Sequence, residues 1–568
     1  MLVFLPMVRR FLNLFQRELN GLHEAALLLG ISAVLSQILA LIRDRLLAAS
    51  FGAGPELDIY YAAFRLPDLL YVAIGSFVSV TVVLPFLMGH LERGDRQAAE
   101  ALFLELLRKF LAWMGVLIAA GYLFLPGLVG VMAPGFSPAA RAALLPLARI
   151  LLLSPLLLGL SNLVANLTQS SRQFFLYALS PIFYNLGIIA GIMFFYPRFG
   201  LNGLAWGVVL GALGHLLVQW PAVVRGPVSW FGWRRRSRSG GESRQILRLA
   251  WPRTLTLSAH QLAILVLVAL ASHLAAGSIA VFNFAYNLQA VLLSVIGVSY
   301  AVAAFPTLVR LFSNGERAQF IDQMAVTVRH IIFWSLPALA LFIVLRAQIV
   351  RVILGAGKFD WADTRLTAAA LAIFLVSTAA QGLILVFVRG YYACGRTRKP
   401  LLVNVFSSIL IVGLAFGLLR FLALYPSLGL FLGRFLRVAD VAGAELLALP
   451  LAFTIGMLVN LLIFWLFFHR DFGSWPALVY RSIRQSAVAA LGAAAAAYLL
   501  LQILAPVFDQ STFWGIFLQG LIAGLGGILT AVFILRRLGN EEAAAISRSL
   551  GRRFWRRLSP ILPEAEEL

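Results

Sequence analysis

The chain has 568 residues, 61% of them hydrophobic and only 12% charged, with a net charge of +22. A soluble domain carries about a quarter of its residues as charges, so the composition excludes a soluble protein and points to an all-α polytopic membrane protein. The excess of lysine and arginine could suit nucleic acid, but it sits in alternate loops and at both ends, as expected beside anionic lipid headgroups. No nucleic-acid partner is expected.

In chain order, residues 1–23 read as an interfacial N-terminal segment. The charges of "MLVFLPMVRRFLNLFQREL" follow its apolar run and no small-residue cleavage site is present, unlike a cleaved signal peptide. Hydropathy then predicts about 14 transmembrane helices, near 24–49, 60–88, 103–133, 142–166, 176–196, 202–224, 247–274, 278–309, 328–354, 366–393, 401–424, 446–468, 482–506 and 513–536. Each run is close to the roughly 20 residues needed to cross a bilayer. Six spans form an N-lobe over 24–224, and a basic cytoplasmic loop covers 225–246. Six more form a C-lobe over 247–469, two extra helices occupy 481–536, and 537–568 read as a basic amphipathic cytoplasmic tail. An even number of spans puts both termini on one side, and the basic loops make that side cytoplasmic. The single cysteine, Cys394, excludes an internal disulfide.

An internal repeat links the two halves. At an offset of about 223 residues, "AAFRLPDLLYVAIG" (62–75) aligns with "FAYNLQAVLLSVIG" (284–297), and Phe136, Ser154 and Arg172 align with Phe359, Ser377 and Arg396. Further on the offset grows to about 245, where "GALGHLLVQW" (211–220) matches "GMLVNLLIFW" (456–465). The second half therefore holds an insertion, assigned to 425–445. Two pseudo-symmetric six-helix lobes of parallel orientation are a layout of secondary transporters, with the substrate site between repeats.

The charges that break this pattern are the candidate site. Arg43, Asp44 and Arg45 lie in the first span, whose second-half counterpart "LAILVLVALASHLAAG" carries no charge, so the fold does not require them. A charge at the bilayer centre costs roughly 2.5–3.5 kcal/mol even on lenient scales, so such residues are paired or functional. Asp58, Arg65 and Asp68 follow nearby. Asn283 and Asn287, one helical turn apart, and Gln289 form a polar set that is either interhelical glue or a surface for sugar and amide groups. Arg389, inside "GLILVFVRGYYACG", either faces a cavity or snorkels to the adjacent loop. Arginine matches phosphate bidentately, so this set suits an anionic headgroup.

No enzyme signature stands out. "GAGKFD" (355–360) lacks the full phosphate-loop spacing. The seven histidines show no metal spacing, and nothing resembles an ATP-binding module. Neither metal nor cofactor is expected.

The residues resemble a known family. "LIRDRLLAASFGAGPELDIYYAAFRLPDLL" is similar to the first-span signature of the MurJ/MviN lipid II flippases of the MATE-like MOP exporter superfamily. "APGF" (133–136), "SPIFYN" (180–185), "GSIAVFNFAYNLQ" and "RGYYACGRTRKP" continue the likeness. The resemblance implies fourteen helices in two lobes plus two, and translocation of an undecaprenyl-diphosphate-linked cell-wall precursor between leaflets by alternating access in a bacterial inner membrane. It places Arg43, Asp44, Asp58 and Arg65 on charged positions of the first lobe. Asn283, Asn287, Gln289 and Arg389 complete the candidate substrate-binding set. The sequence departs from the family where a basic pair is replaced by Tyr71 and Val72, where an eighth-span arginine is Asn287, and where a first-span arginine is Gln37. Two alternatives stay open: a flippase for another polyprenyl-linked glycan, and an ion-coupled exporter of amphipathic molecules. Expected partners are the lipid-linked glycan, anionic membrane lipids and the cell-wall synthesis machinery, with the chain itself a monomer.

Overall fold

The computed structural model describes residues 22–75, 77–171, 173–225 and 241–545. Residues 1–21 of the expected interfacial segment, 226–240 of the basic loop, 546–568 of the tail, and Arg172 of the repeat lie outside them. Every regular element among the described residues is a helix, and twelve helices are long and apolar enough to cross a membrane. These twelve coincide with the third to fourteenth expected spans. The first expected span is one continuous helix, α1 (Leu22–Phe51).

The second is not a single helix. It consists of α2 (Pro55–Ala63), α3 (Arg65–Gly75) and α4 (Val80–Glu92). Pro67 stands in the first turn of α3 and has no N–H to return to α2, so the helices part at Phe64. A second break follows Gly75, and the extended backbone of Ser79 starts α4. The helix-breaking residues were visible in "RLPDLLYVAIGSFVS", but hydropathy averaged across them.

The chain divides into two compact units. One contains residues up to Ala285 with Ile353–Ala370 and Thr397–Gly456; the other contains Tyr286–Val352, Leu371–Arg396 and Met457 onward. In the first unit, α5 (Arg96–Met132) begins with Asp95 accepting the Ala98 N–H at 2.9 Å. It is followed by α6 (Pro138–Leu151), α7 (Leu153–Ser170), α8 (Phe174–Ala190) and α9 (Leu201–Leu217). The α8 and α9 backbones touch through glycines. A Cβ at Gly187 would lie 2.2 Å from the Gly211 Cα, and one at Gly207 would lie 2.4 Å from the Gly191 Cα. This is the small-residue packing of membrane helices, where close approach replaces a hydrophobic drive. The unit continues with α10 (Glu242–Ala271) and the first part of α11 (Ser278–Leu292).

Helices that start at Arg96, Pro138 and Phe174 recur as α12 (Arg317–Val344), α14 (Trp361–Ala393) and α15 (Arg398–Leu424), with the short α13 (Arg346–Leu354) after α12. The inserted stretch folds as α16 (Pro426–Phe435), after which α17 (Ala448–Phe472) takes the place of α9 in the repeat. Arg365 anchors the insertion: it donates to both carboxylate oxygens of Asp440, at 2.7 and 2.6 Å, and to the Arg437 carbonyl. These hydrogen bonds hold the Asp440 carboxyl below its ordinary range.

In the second unit, α12 packs with α18 (Ala477–Leu504) and α19 (Phe513–Arg537). Ala489, Ala493 and Ala497 form the contact surface, with Phe333, Leu341, Ala531 and Leu535. Arg329 fastens the segment after α19, donating to Glu542 and Glu541 at 2.5 Å each. The opposite faces remain apolar and open, with Leu491 73% and Leu529 69% exposed, as helices facing lipid require.

Candidate polar site in the N-terminal helices

The first unit gathers most of the charged candidates, and the chain's local structure explains how. On α1, Arg43 donates to its neighbour Asp44 through both Nε and Nη2, at 2.9 and 2.8 Å. Its Nη1 reaches Asn185 Oδ1 on α8 at 3.2 Å. Asn185 in turn donates to the Ser36 hydroxyl and the Pro181 carbonyl, so its amide is oriented to accept from the guanidinium. Asp44 is buried, while the Arg43 side chain keeps 20% of its surface. The carboxylate is thus covered by its partner, and part of the cation stays open.

Arg45 has a different task. It donates to the Ile353 carbonyl at 3.2 Å, at the C-terminal end of α13 where carbonyls lack helical partners. The adjoining turn is bracketed in the same place. The Lys358 N–H reaches the Ala49 carbonyl at 2.9 Å, and the Ala53 N–H reaches Asp363 Oδ2 at 3.0 Å. Gly52 ends α1 with φ +64, and a Cβ there would sit 2.8 Å from the Lys358 carbonyl oxygen, so both conformation and space demand glycine.

Asp58 is buried on α2 and caps α11. Its oxygens accept the N–H groups of Gly277 and Ala280 at 2.6 and 2.8 Å, an anion at a helix N-terminus. Arg65, also buried, donates from Nε to the Tyr61 carbonyl at 3.1 Å and from Nη2 to Asn283 Oδ1 at 2.7 Å. Asn283 is fixed by its own donation to the Ile279 carbonyl at 2.7 Å. Arg65 and Asn283, drawn from the two halves of the repeat, therefore form one contact within this unit.

Aromatic residues join the two arginines. Tyr60 and Tyr61 are buried, with rings 5.5 Å apart and edge to face, and both lie within electrostatic range of Arg43. Tyr61 is also within range of Arg65. Among the described residues, the buried Tyr61 hydroxyl has no hydrogen-bond partner. Asp68 stands close to Arg65, and Tyr184 lies near both Asp68 and Arg43. The cluster thus holds two cations, buried phenols and two amides, with Arg43 bound to Asp44 and Asn185 and Arg65 bound to Asn283.

The other candidates lie in the second unit. Gln289 is buried and accepts from Thr378 at 3.0 Å and from Gln381 at 3.1 Å, while Gln381 also donates to Ser377 at 3.0 Å. Asn287 and Arg389 are half-buried on α11 and α14. Among the described residues no group of histidine, cysteine and acidic side chains could hold a metal ion.

Sequence reasoning did not select Asn185, Tyr60, Tyr61 or Tyr184. Asn185 and Tyr184 lie in "SPIFYN", the tyrosine pair in "LDIYYAAF"; polar side chains inside otherwise apolar runs were the available signal.

The family model for lipid II flippase MurJ matches residues 47–518. The chain belongs to the lipid II flippase MurJ family. The lipid II flippase MurJ of Burkholderia cenocepacia is 27% identical over 403 residues, covering 69% of this chain and 77% of that protein. The probable lipid II flippase MurJ of Rhizobium meliloti is 29% identical over 426 residues, covering 73% and 76%. Among solved structures, a lipid II flippase MurJ in an inward closed conformation superposes with a TM-score of 0.68 at 18% identity, over 90% of this chain and 99% of that one. An inward-facing multidrug resistance MATE transporter of the MOP superfamily gives 0.64 at 16% identity, over 77% and 94%. A MurJ-family chain is a membrane transporter, here a multi-pass protein of the bacterial inner membrane. The matched region takes in Asp58, Arg65, Asn283, Asn287, Gln289 and Arg389; Arg43 and Asp44 stand just before it.

Proposed function

We propose that this protein moves lipid II, the polyprenyl-diphosphate-linked peptidoglycan precursor, from the inner to the outer leaflet by alternating access. The family match favours this over another polyprenyl-linked glycan or over export of amphipathic small molecules. One observation carries the assignment to a site: Arg43 and Arg65 lie around Tyr61, whose buried hydroxyl is without a partner among the described residues. A diphosphate would give that hydroxyl an acceptor and is the anion that guanidinium groups match.

In this reading Arg43 and Arg65 attract the diphosphate, with Asp44 orienting Arg43. Asn283, held against Arg65, meets the headgroup beside it. Asp58 serves this site by position, through the start of α11. The functional lobes are 24–224 and 247–469, followed by the two extra helices at 481–536. Both termini are cytoplasmic, and the protein works as a monomer beside anionic lipids and the cell-wall synthesis machinery.

The test is complementation of a bacterium depleted of its own lipid II flippase, with membrane levels matched. Wild type is expected to restore growth, Arg43→Ala and Arg65→Ala to fail, and Tyr61→Phe to restore it partially. Well-expressed wild type that does not restore growth overturns lipid II as the substrate. Arginine variants that rescue fully overturn the site.

A further inference from the structure

We propose that a cavity between the α3–α4 break, α5 and the start of α10 binds an anionic diacyl phospholipid of the phosphatidylglycerol class. The cavity has a volume of about 990 Å³ and lies wholly within the first unit, away from the Arg43 and Arg65 cluster in its lining residues. Its walls are apolar and flat: Phe77, Phe110, Trp113 and Trp251 line it with Ile74 and Leu106. The Phe77 and Trp251 rings stack 6.2 Å apart with 20° between their planes.

The polar lining is almost entirely cationic, consisting of Lys109 on α5 and Arg244, Gln245 and Arg248 on α10. Both helices show the same order from their N-terminal ends, a cation and then, one turn deeper, a tryptophan: Lys109 before Trp113 and Arg248 before Trp251. Arg244 and Arg248 are four residues apart, on one helix face. That order is the pattern of a membrane interface, with cations at phosphate level and indoles just beneath.

The mouth is held in shape. Lys109 donates to Glu105 at 2.7 Å and to Ser243 at 2.6 Å, which ties α10 to α5 and leaves one of its three donors for a ligand. His90 on α4 meets Glu242 at 2.7 Å. Arg244 and Arg248 are exposed and supply the remaining donors.

The lining also selects among phosphate-bearing lipids. Among the described residues of the lining, Gln245 is the one uncharged amide or hydroxyl side chain, so a large glycan-peptide headgroup would lose its hydration against them without matching partners. A phosphate with a small hydroxylated headgroup loses little, and its acyl chains cover the aromatic walls. The site is therefore for a resident lipid and is separate from the path of the transported substrate. Bound there, the phosphate bridges α5 and α10 at the end of the helices next to the basic linker.

The test uses the purified full chain in detergent, titrated with phosphatidylglycerol or phosphatidylcholine carrying brominated acyl chains, which quench nearby indoles. Brominated phosphatidylglycerol is expected to quench more strongly, with the excess lost in Trp113→Phe and Trp251→Phe. Arg244→Gln and Arg248→Gln are each expected to weaken that lipid about fivefold. Both arginines are exposed, so the variants fold. Equal quenching by the two lipids, or an excess that survives in the arginine double variant, overturns the site. Displacement of phosphatidylglycerol by equimolar undecaprenyl phosphate overturns its assignment to a resident lipid. None of these readings depends on which precursor the protein transports.

Discussion

At the scale of single residues, the charged triplet of the first span separates into three tasks. Asp44 neutralises Arg43, Arg43 keeps part of its surface open, and Arg45 serves a helix end elsewhere in the fold. Sequence alone marked all three as anomalous but could not give the Asn185 partner of Arg43 or the Ile353 partner of Arg45, which are 142 and 308 residues away. Removing the counter-ion from a buried pair costs more than removing both members, about 3 kcal/mol when one charge is left unpaired. Asp44→Asn should therefore lower the thermal unfolding temperature in detergent clearly more than the double change Arg43→Met with Asp44→Leu. Equal melting of the two would show that Arg43 is neutralised by other groups. The one thiol gives a pH prediction. Burial pushes Cys394 up to about 11, against the pull of Arg396 and Arg317. The neutral thiol is unreactive, so alkylation by iodoacetamide should be slow at neutral pH and rise about tenfold per pH unit until the thiol titrates near that value. A plateau near pH 9 would place the thiol in an ordinary aqueous setting.

At the scale of elements, the sequence located twelve helices by their apolar length, and the structure follows them closely. It missed the division of the second span because a hydropathy average cannot register a missing N–H at Pro67 or the extended backbone at Ser79. Helix pairing was also beyond it. Gly187, Gly191, Gly207 and Gly211 read as scattered small residues, yet a Cβ on any of them would collide with the facing backbone where the end of α8 meets α9. Gly207→Leu should separate the two helices and lower stability by about 1–3 kcal/mol, the range for overpacking a well-packed contact. The melting transition and monodispersity in detergent report it. Gly413→Leu is the control, since nothing lies within 4 Å of a Cβ there. If both variants melt alike, the glycine contact does not hold α8 to α9.

At the scale of the whole molecule, the orientation proposed from the basic loops is open to direct test. In a Cys394→Ser background, Arg398→Cys should react with a membrane-impermeant maleimide only after the cell is permeabilised. Ser511→Cys, between the last two spans, should react in intact cells. The reverse pattern would invert the topology and place the termini outside. The phospholipid site would move with it to the outer leaflet, since its cations share the end of the helices that carries the basic linker.

The sequence by itself determined the class of the protein. Composition required a membrane, because so few charges cannot clothe a soluble surface, and hydropathy set nearly every crossing, because span length is fixed by bilayer thickness. The repeat was also legible as recurring residues, and helix starts recur at a similar spacing in the second half. What each polar residue does was decided only by the tertiary structure. Asp58, Gln289, Arg43 and Arg65 were expected on the same terms, and the structure gives each a different set of partners. A charge inside an apolar run announces that something must compensate it; whether that is a helix end, a neighbouring amide or an incoming phosphate depends on which distant backbone arrives beside it.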